Sequence, residues 1–165
     1  MIKIDSICTY IKSLFPHSNL KLIMKENVLK EIKLQIRSDR KSIIDTTEKL
    51  ELFFLRYCPG WDAGIGFYEL LVNAVEHGNN YNPSKKVTIT IVLLADAAKI
   101  YIEDQGDGFN WQEELEKTAS CDIFDERGRG IYLAKIFCDN LMYNEKGNKV
   151  CLIKKKNLAK DKGVS

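Results

Sequence analysis

The sequence has no apolar run long enough to span a bilayer. Its N-terminus, MIKIDSICTYIKSLF, carries charges inside its apolar stretch and so reads as neither a secretory leader nor an anchor. Its five cysteines, Cys8, Cys58, Cys121, Cys138 and Cys151, are odd in number, widely spaced and without a C-x-x-C pair. That argues against a disulfide framework or a zinc site and for a reducing, cytoplasmic setting. The two histidines, His17 and His77, form no H-E-x-x-H motif, and His77 reads as a helix C-terminal residue rather than a metal ligand. An excess of one charge is also missing: 25 basic against 23 acidic side chains leave a net +2. No global field marks a nucleic-acid or membrane-surface binder, and Lys154–Lys156 read as a solvated run near the C-terminus. A phosphate-cradling G-x-x-x-x-G-K-[ST] loop is absent as well.

What is present suits one globular domain: 165 residues, 45% hydrophobic and 29% charged, are enough to bury a core. Ile4, Ile7, Ile11, Leu14 and Phe15 recur at helical spacing and end before Pro16, which predicts a short amphipathic helix docked on its own domain. Residues 31–37 alternate strictly, the signature of a half-buried strand. Ser38-Asp39 offers a cap to a helix whose Ile43, Ile44, Leu50, Leu52, Phe53 and Leu55 suit one core-facing stripe, broken by Cys58-Pro59-Gly60. A second helix runs from about Asp62 to Glu76 or His77 and stops at Gly78-Asn79-Asn80-Tyr81-Asn82-Pro83. Val87–Leu94 and Lys99–Glu103 read as strands joined by the hairpin Asp96-Ala97-Ala98. Further helical character lies around Trp111 to Lys117 and from Ile131 to Phe137, and a final hairpin pairs residues 141–143 with 150–153. The class is α+β: a two-layer sandwich with helices packed on one face of a mixed, mostly antiparallel sheet.

Three segments carry chemistry. In Glu69-Leu70-Leu71-Val72-Asn73-Ala74-Val75-Glu76-His77-Gly78, residues 69, 73 and 77 fall at i, i+4 and i+8 and share a helix face. A carboxylate there can orient or deprotonate a nucleophile, and an amide oxygen can ligate a hard cation such as Mg²⁺; a solvent-facing polar stripe is the plainer reading. In Asp104-x-Gly106-x-Gly108-Phe109, a carboxylate at a strand end can accept a hydrogen bond from an exocyclic amine, and the glycines let a ring approach the backbone. In Glu126-Arg127-Gly128-Arg129-Gly130-Ile131, glycines at a helix mouth offer N–H groups to an anion, with Arg127 or Arg129 adding charge.

In order and spacing the three segments resemble the N, G1 and G2 boxes of the GHKL (Bergerat-fold) ATPases, over roughly residues 30–155. Within that superfamily the chain looks most like the anti-sigma-factor serine/threonine kinases. The resemblance implies ATP and Mg²⁺ as cofactors. It implies Glu69 as general base, Asn73 as the Mg²⁺ ligand, and Asp104 as the reader of the adenine amino group with Gly106, Gly108 and Phe109 beside the ring. Arg127, Gly128, Arg129 and Gly130 would close on the phosphates, with a short lid between Phe109 and Arg127. It further implies protein partners: a STAS-type anti-anti-sigma factor as phosphoryl acceptor, a sigma factor on a second surface, and a homodimer as the group often forms. No direct nucleic-acid or membrane contact is expected.

The alternatives are a non-catalytic ATP-gated binding module and a stand-alone histidine-kinase-like ATPase domain. The expected organisation is a helical extension over residues 1–25, an ATP-binding domain over 26–156 and a flexible tail over 157–165. Gly64 and Gly66 are expected to weaken the helix bearing Glu69, and Gln105 replaces the residue often found after the G1 aspartate.

Overall fold

The structure, a computed structural model, describes residues 13, 21–22, 28–57, 64–120 and 129–155. Its sheet has six strands: β1 (Lys21–Leu22), β2 (Val28–Arg37), β3 (Lys86–Leu94), β4 (Ala97–Glu103), β5 (Asn140–Tyr143) and β6 (Lys149–Lys155). They lie in the order β1-β2-β3-β4-β6-β5. Every pairing is antiparallel, so the sheet expected to be mostly antiparallel is wholly so among the described strands. The hairpin between β3 and β4 is tighter than the sequence suggests. Only Ala95 and Asp96 lie outside the strands, because Ala97 and Ala98 already pair with Lys155 and Lys154.

Alternation in the strands decides which face is covered. Ile32, Leu34 and Ile36 of β2, Val87, Ile89, Ile91 and Leu93 of β3, and Ile100 and Ile102 of β4 all point into one core. Burying each such side chain is worth roughly 1.5–3 kcal/mol. The opposite face keeps Thr88, Thr90, Lys99, Tyr101 and Glu103 partly exposed, with Lys149 paired to Glu103 at 3.0 Å. Helices α1 (Arg40–Tyr57), α2 (Gly64–Val72), α3 (Trp111–Ser120) and α4 (Arg129–Phe137) supply the second layer. Helix α1 packs on β2 and α2, and α2 on α4. This is the α+β two-layer arrangement expected from the sequence. No helix among the described residues is long and apolar enough to cross a membrane.

Asp39 caps α1 by accepting the Ser42 N–H at 2.7 Å, whereas Ser38 turns away and donates its hydroxyl to the Lys85 carbonyl. The stripe on α1 is narrower than expected. Ile43, Leu50, Phe53 and Phe54 are buried, while Ile44 is 52% exposed, Leu52 53% and Leu55 69%. Adjacent apolar residues in a helix point about 100° apart, so 43 and 44, or 52 and 53, cannot both face the core. Cys138 and Cys151 are free thiols, and burial pushes both up from the ordinary thiol range. The helix expected over residues 2–15 lies outside the described residues save for Ser13, and so do the breaker at 58–60, the opening of the second helix at Asp62 and the tail at 157–165.

Gly66 has a packing role that helix propensity alone hides. A Cβ at Gly66 would lie 3.0 Å from the Ala134 Cα, so α2 and α4 touch backbone to backbone there. At Gly64 the added atom would meet only the movable Glu51 carboxylate. Gly66→Val is therefore expected to destabilise the fold by about 1–3 kcal/mol. Gly64→Ala should be neutral or stabilising by up to about 1 kcal/mol. Urea unfolding of both variants checks this, and equal effects would contradict the close-crossing account.

Candidate functional site

Helix α2 does not end as an α-helix. Residues Asn73–Gly78 form one π turn, and Asn79 N–H closes it on the Ala74 carbonyl at 3.0 Å. Single π turns inside helices are uncommon and cluster at functional sites. Two left-handed residues follow, Asn80 and Tyr81, each at φ 52°. Such a backbone is costly for a tyrosine. It is held by the Tyr81 hydroxyl donating to Glu76 Oε2 at 2.8 Å, by its N–H on the Val75 carbonyl, and by the Arg40 guanidinium over its ring.

The π turn joins the two halves of the site. At its start, Asn73 and the preceding Glu69 are half-buried and converge on the opening of α4. A Cβ at Gly130 would lie 2.8 Å from Glu69 Oε2 and 3.5 Å from Asn73 Nδ2. The third sequence segment thus meets the first, and any side chain at 130 would fill the space before the carboxylate. His77 does not join them: it is exposed, because the π turn breaks the i, i+4, i+8 register. Among the described residues there is no cluster of three His, Cys, Asp or Glu. A single amide oxygen beside an open cradle still fits Mg²⁺, which keeps waters and takes its remaining ligands from substrate phosphates.

At the far end of the π turn, Gly78 lies flat against the Asp104 carboxylate, and Gly106 lies against the Gly78 carbonyl. Asp104 follows β4 directly and is tied on both sides. Its N–H donates to the Asn148 carbonyl, and its own carbonyl accepts from Asn148 Nδ2, each at 3.0 Å. Asp104 Oδ1 accepts the Gly106 N–H at 2.8 Å. Its second oxygen accepts no hydrogen bond within the described residues. A half-buried carboxylate with one oxygen fixed and one open is suited to receive an N–H donor from a ligand. Burial raises the Asp104 carboxyl above the ordinary range, against the opposing pull of the Gly106 and Asp104 N–H groups, Lys146 and Lys85. Burial first, and then the charge of Asp104, drive the phenol of the partly buried Tyr143 far above its usual range.

Gly108, in the left-handed region at φ 78°, turns the chain against the Lys146 carbonyl, which also accepts the Phe109 N–H at 3.1 Å. Lys146 Nζ donates to the Gly106 carbonyl at 2.9 Å. Phe109, 39% exposed, meets Tyr143 edge-on at 5.4 Å, and Trp111 stacks on the same ring at 5.9 Å. The root of α3 is thereby pinned beside Asp104. Arg127 and Gly128 lie outside the described residues, and Arg129 is the first residue of α4.

Sequence reasoning missed Asn79, Lys146 and Asn148. Asn79 is wholly buried. Its Nδ2 donates to Ser38 Oγ at 2.7 Å and to the Lys86 carbonyl at 3.1 Å, and its Oδ1 accepts the Gln105 N–H at 2.8 Å. Gln105, the departure at G1, closes the ring by accepting the Lys86 N–H at 2.7 Å.

Because Asp104 titrates above its unfolded value, its stabilising contribution is complete below the ordinary aspartate pKa of about 3.9 and is lost as pH rises through the raised value. A carbon-13 titration of the carboxyl should give a midpoint above about 3.9. Wild type should also lose stability relative to Asp104→Asn across that same window. A midpoint at or below the ordinary value would contradict the desolvation account.

A family model of the histidine kinase-like ATPase domain matches residues 58–154, more than half of the chain. The serine-protein kinase RsbW of Staphylococcus aureus strain MSSA476 is 30% identical over 101 residues, covering 56% of this chain and 64% of that protein. RsbW of strains MW2 and JH9 match with the same identity and coverage. The matched region spans just under two thirds of the length of these relatives. Motifs, antiparallel α+β fold and family match agree, and the chain belongs to the histidine kinase-like ATPase domain family, the GHKL group that its three boxes resemble.

Proposed function

We propose that this chain is an ATP-binding regulatory protein of the cytoplasm that transfers the γ-phosphate of ATP to a serine or threonine of a small protein, by resemblance a STAS-type antagonist in a partner switch. The observation that carries the reading is the convergence of Glu69 and Asn73 on Gly130 at one end of the π turn, with Asp104 and Gly106 at the other. The open Asp104 oxygen accepts the adenine amino group, and the bare Gly106 backbone lies beside the ring. The Asn73 amide oxygen would hold Mg²⁺, which would neutralise charge on the phosphoryl oxygens, and Arg127, Gly128, Arg129 and Gly130 would bind the phosphates. Glu69 takes the proton of the incoming hydroxyl as its oxygen bonds to the γ-phosphorus and the bond to the ADP oxygen breaks. RsbW, named as a serine-protein kinase, supports this chemistry by likeness. A carboxylate at Glu69 favours the kinase over the ATP-gated module, since pure binding needs no base.

Glu69→Gln is expected to keep ATP affinity within about threefold and to lose phosphoryl transfer by roughly 10²–10⁴-fold. The check is labelled Mg·ATP incubated with proteins captured from the source cell, reading acid-stable label on serine or threonine. A partner captured without label while ATP stays intact, or a Glu69→Gln variant matching wild type, would overturn the kinase reading.

A further inference from the structure

The loop that carries Asp104 is crossed by one residue of the last hairpin, and the crossing has three points. The Lys146 carbonyl accepts the Phe109 N–H at 3.1 Å. Its Cγ lies 3.1 Å from where a Cβ at Gly108 would stand. Its Nζ donates to the Gly106 carbonyl at 2.9 Å. The contact is also reciprocal. A Cβ at Gly108 would land on the Lys146 carbonyl, and a Cβ at Gly147 on the Phe109 backbone. Both glycines stand at φ 78°, so each turn uses a left-handed glycine to admit the backbone of the other. The space that a side chain at 108 would need is therefore filled by the protein, and no ligand ring can use it.

The hairpin turn that supplies Lys146 is braced on its own account. Asn144 Oδ1 accepts the N–H groups of Gly147, Asn148 and Lys149 at 2.9, 3.1 and 3.1 Å. Lys149 in turn pairs with Glu103 of β4. Lys146 also brings a cation toward Asp104. With Lys85 and the N–H groups of Gly106 and Asp104, its charge opposes the rise that burial imposes on that carboxyl.

We propose that Lys146 is a positioning residue for the nucleotide base: it straps residues 104–109 in the conformation that presents the free Asp104 oxygen, and Gly108 is glycine to admit this strap rather than the base. This role rests on the reading of Asp104 as the group that meets the adenine amino group. A loop already held in its binding conformation loses less freedom when the ligand arrives. Without the ammonium bond, part of that ordering falls on nucleotide binding.

The test compares Lys146→Met and Lys146→Arg in the full chain. Methionine keeps the apolar stem and removes charge and donor, whereas arginine keeps both. Calorimetric titration with Mg·ATP should show Lys146→Met weaker than wild type by about three- to tenfold, the range of one ordinary hydrogen bond, and Lys146→Arg within about twofold. In the absence of nucleotide, a carbon-13 titration should place the Asp104 midpoint higher in Lys146→Met than in wild type, and Lys146→Arg should restore it. A residue that only stabilised the hairpin would leave that midpoint where it is. With wild type binding Mg·ATP, an unchanged affinity in Lys146→Met, an unmoved Asp104 midpoint, or a failure of arginine to restore either would overturn the role of Lys146 alone. Wild type failing to bind Mg·ATP, while the Asp104 midpoint still responds to Lys146, would overturn the adenine reading and the role together.

Discussion

The site depends on one buried amide. Asn79 ends the π turn, and with no exposed surface it must satisfy its polar atoms internally. It does so by holding Ser38 at the end of β2, Lys86 at the start of β3 and Gln105 just beyond β4. These three points lie at one end of the sheet. The side chain thereby fixes where the Glu69–Asn73 helix stands relative to Asp104. A shorter or apolar residue would remove the donor to Ser38 Oγ and to the Lys86 carbonyl and the acceptor of the Gln105 N–H, at about 1–3 kcal/mol for each group left unsatisfied.

From that anchor the rest follows by contact. Gly78 lies on the Asp104 carboxylate, and Gly106 lies on the Gly78 carbonyl. The turn of the last hairpin clasps the same loop through Lys146 and Asn148. On the other side, Gly66 lets α4 approach α2 closely enough that Gly130 reaches Glu69 and Asn73. The two halves of the site are thus set by different parts of the fold. The sheet end and hairpin place Asp104, and the α2–α4 crossing places Glu69 beside the mouth of α4.

Much of this was legible in the sequence because it is written in spacing. The alternation in β2, β3 and β4, the i, i+4 relation of Glu69 and Asn73, and the glycines of 106 and 108 are local patterns with direct physical meaning. The π turn was not legible, since nothing in Asn-Ala-Val-Glu-His-Gly distinguishes five-residue from four-residue hydrogen bonding. Its consequence, the loss of His77 from the shared face, was hidden with it. Asn79 sat in a run of turn formers and read as punctuation, because its partners are 41 and 26 residues away. The α1 stripe was overread for a similar reason. Apolar pairs at 43–44 and 52–53 satisfy a helical pattern on two faces, and only the packing of the sheet decides which face is inside.

We propose that the open oxygen of Asp104 selects an adenine nucleotide. Calorimetric titration of the full chain with Mg·ATP and Mg·GTP tests it most directly. The account predicts that ATP binds about a hundredfold or more tightly than GTP, because guanine presents a carbonyl where the carboxylate needs a donor. Equal affinities, or no binding of ATP, would contradict it.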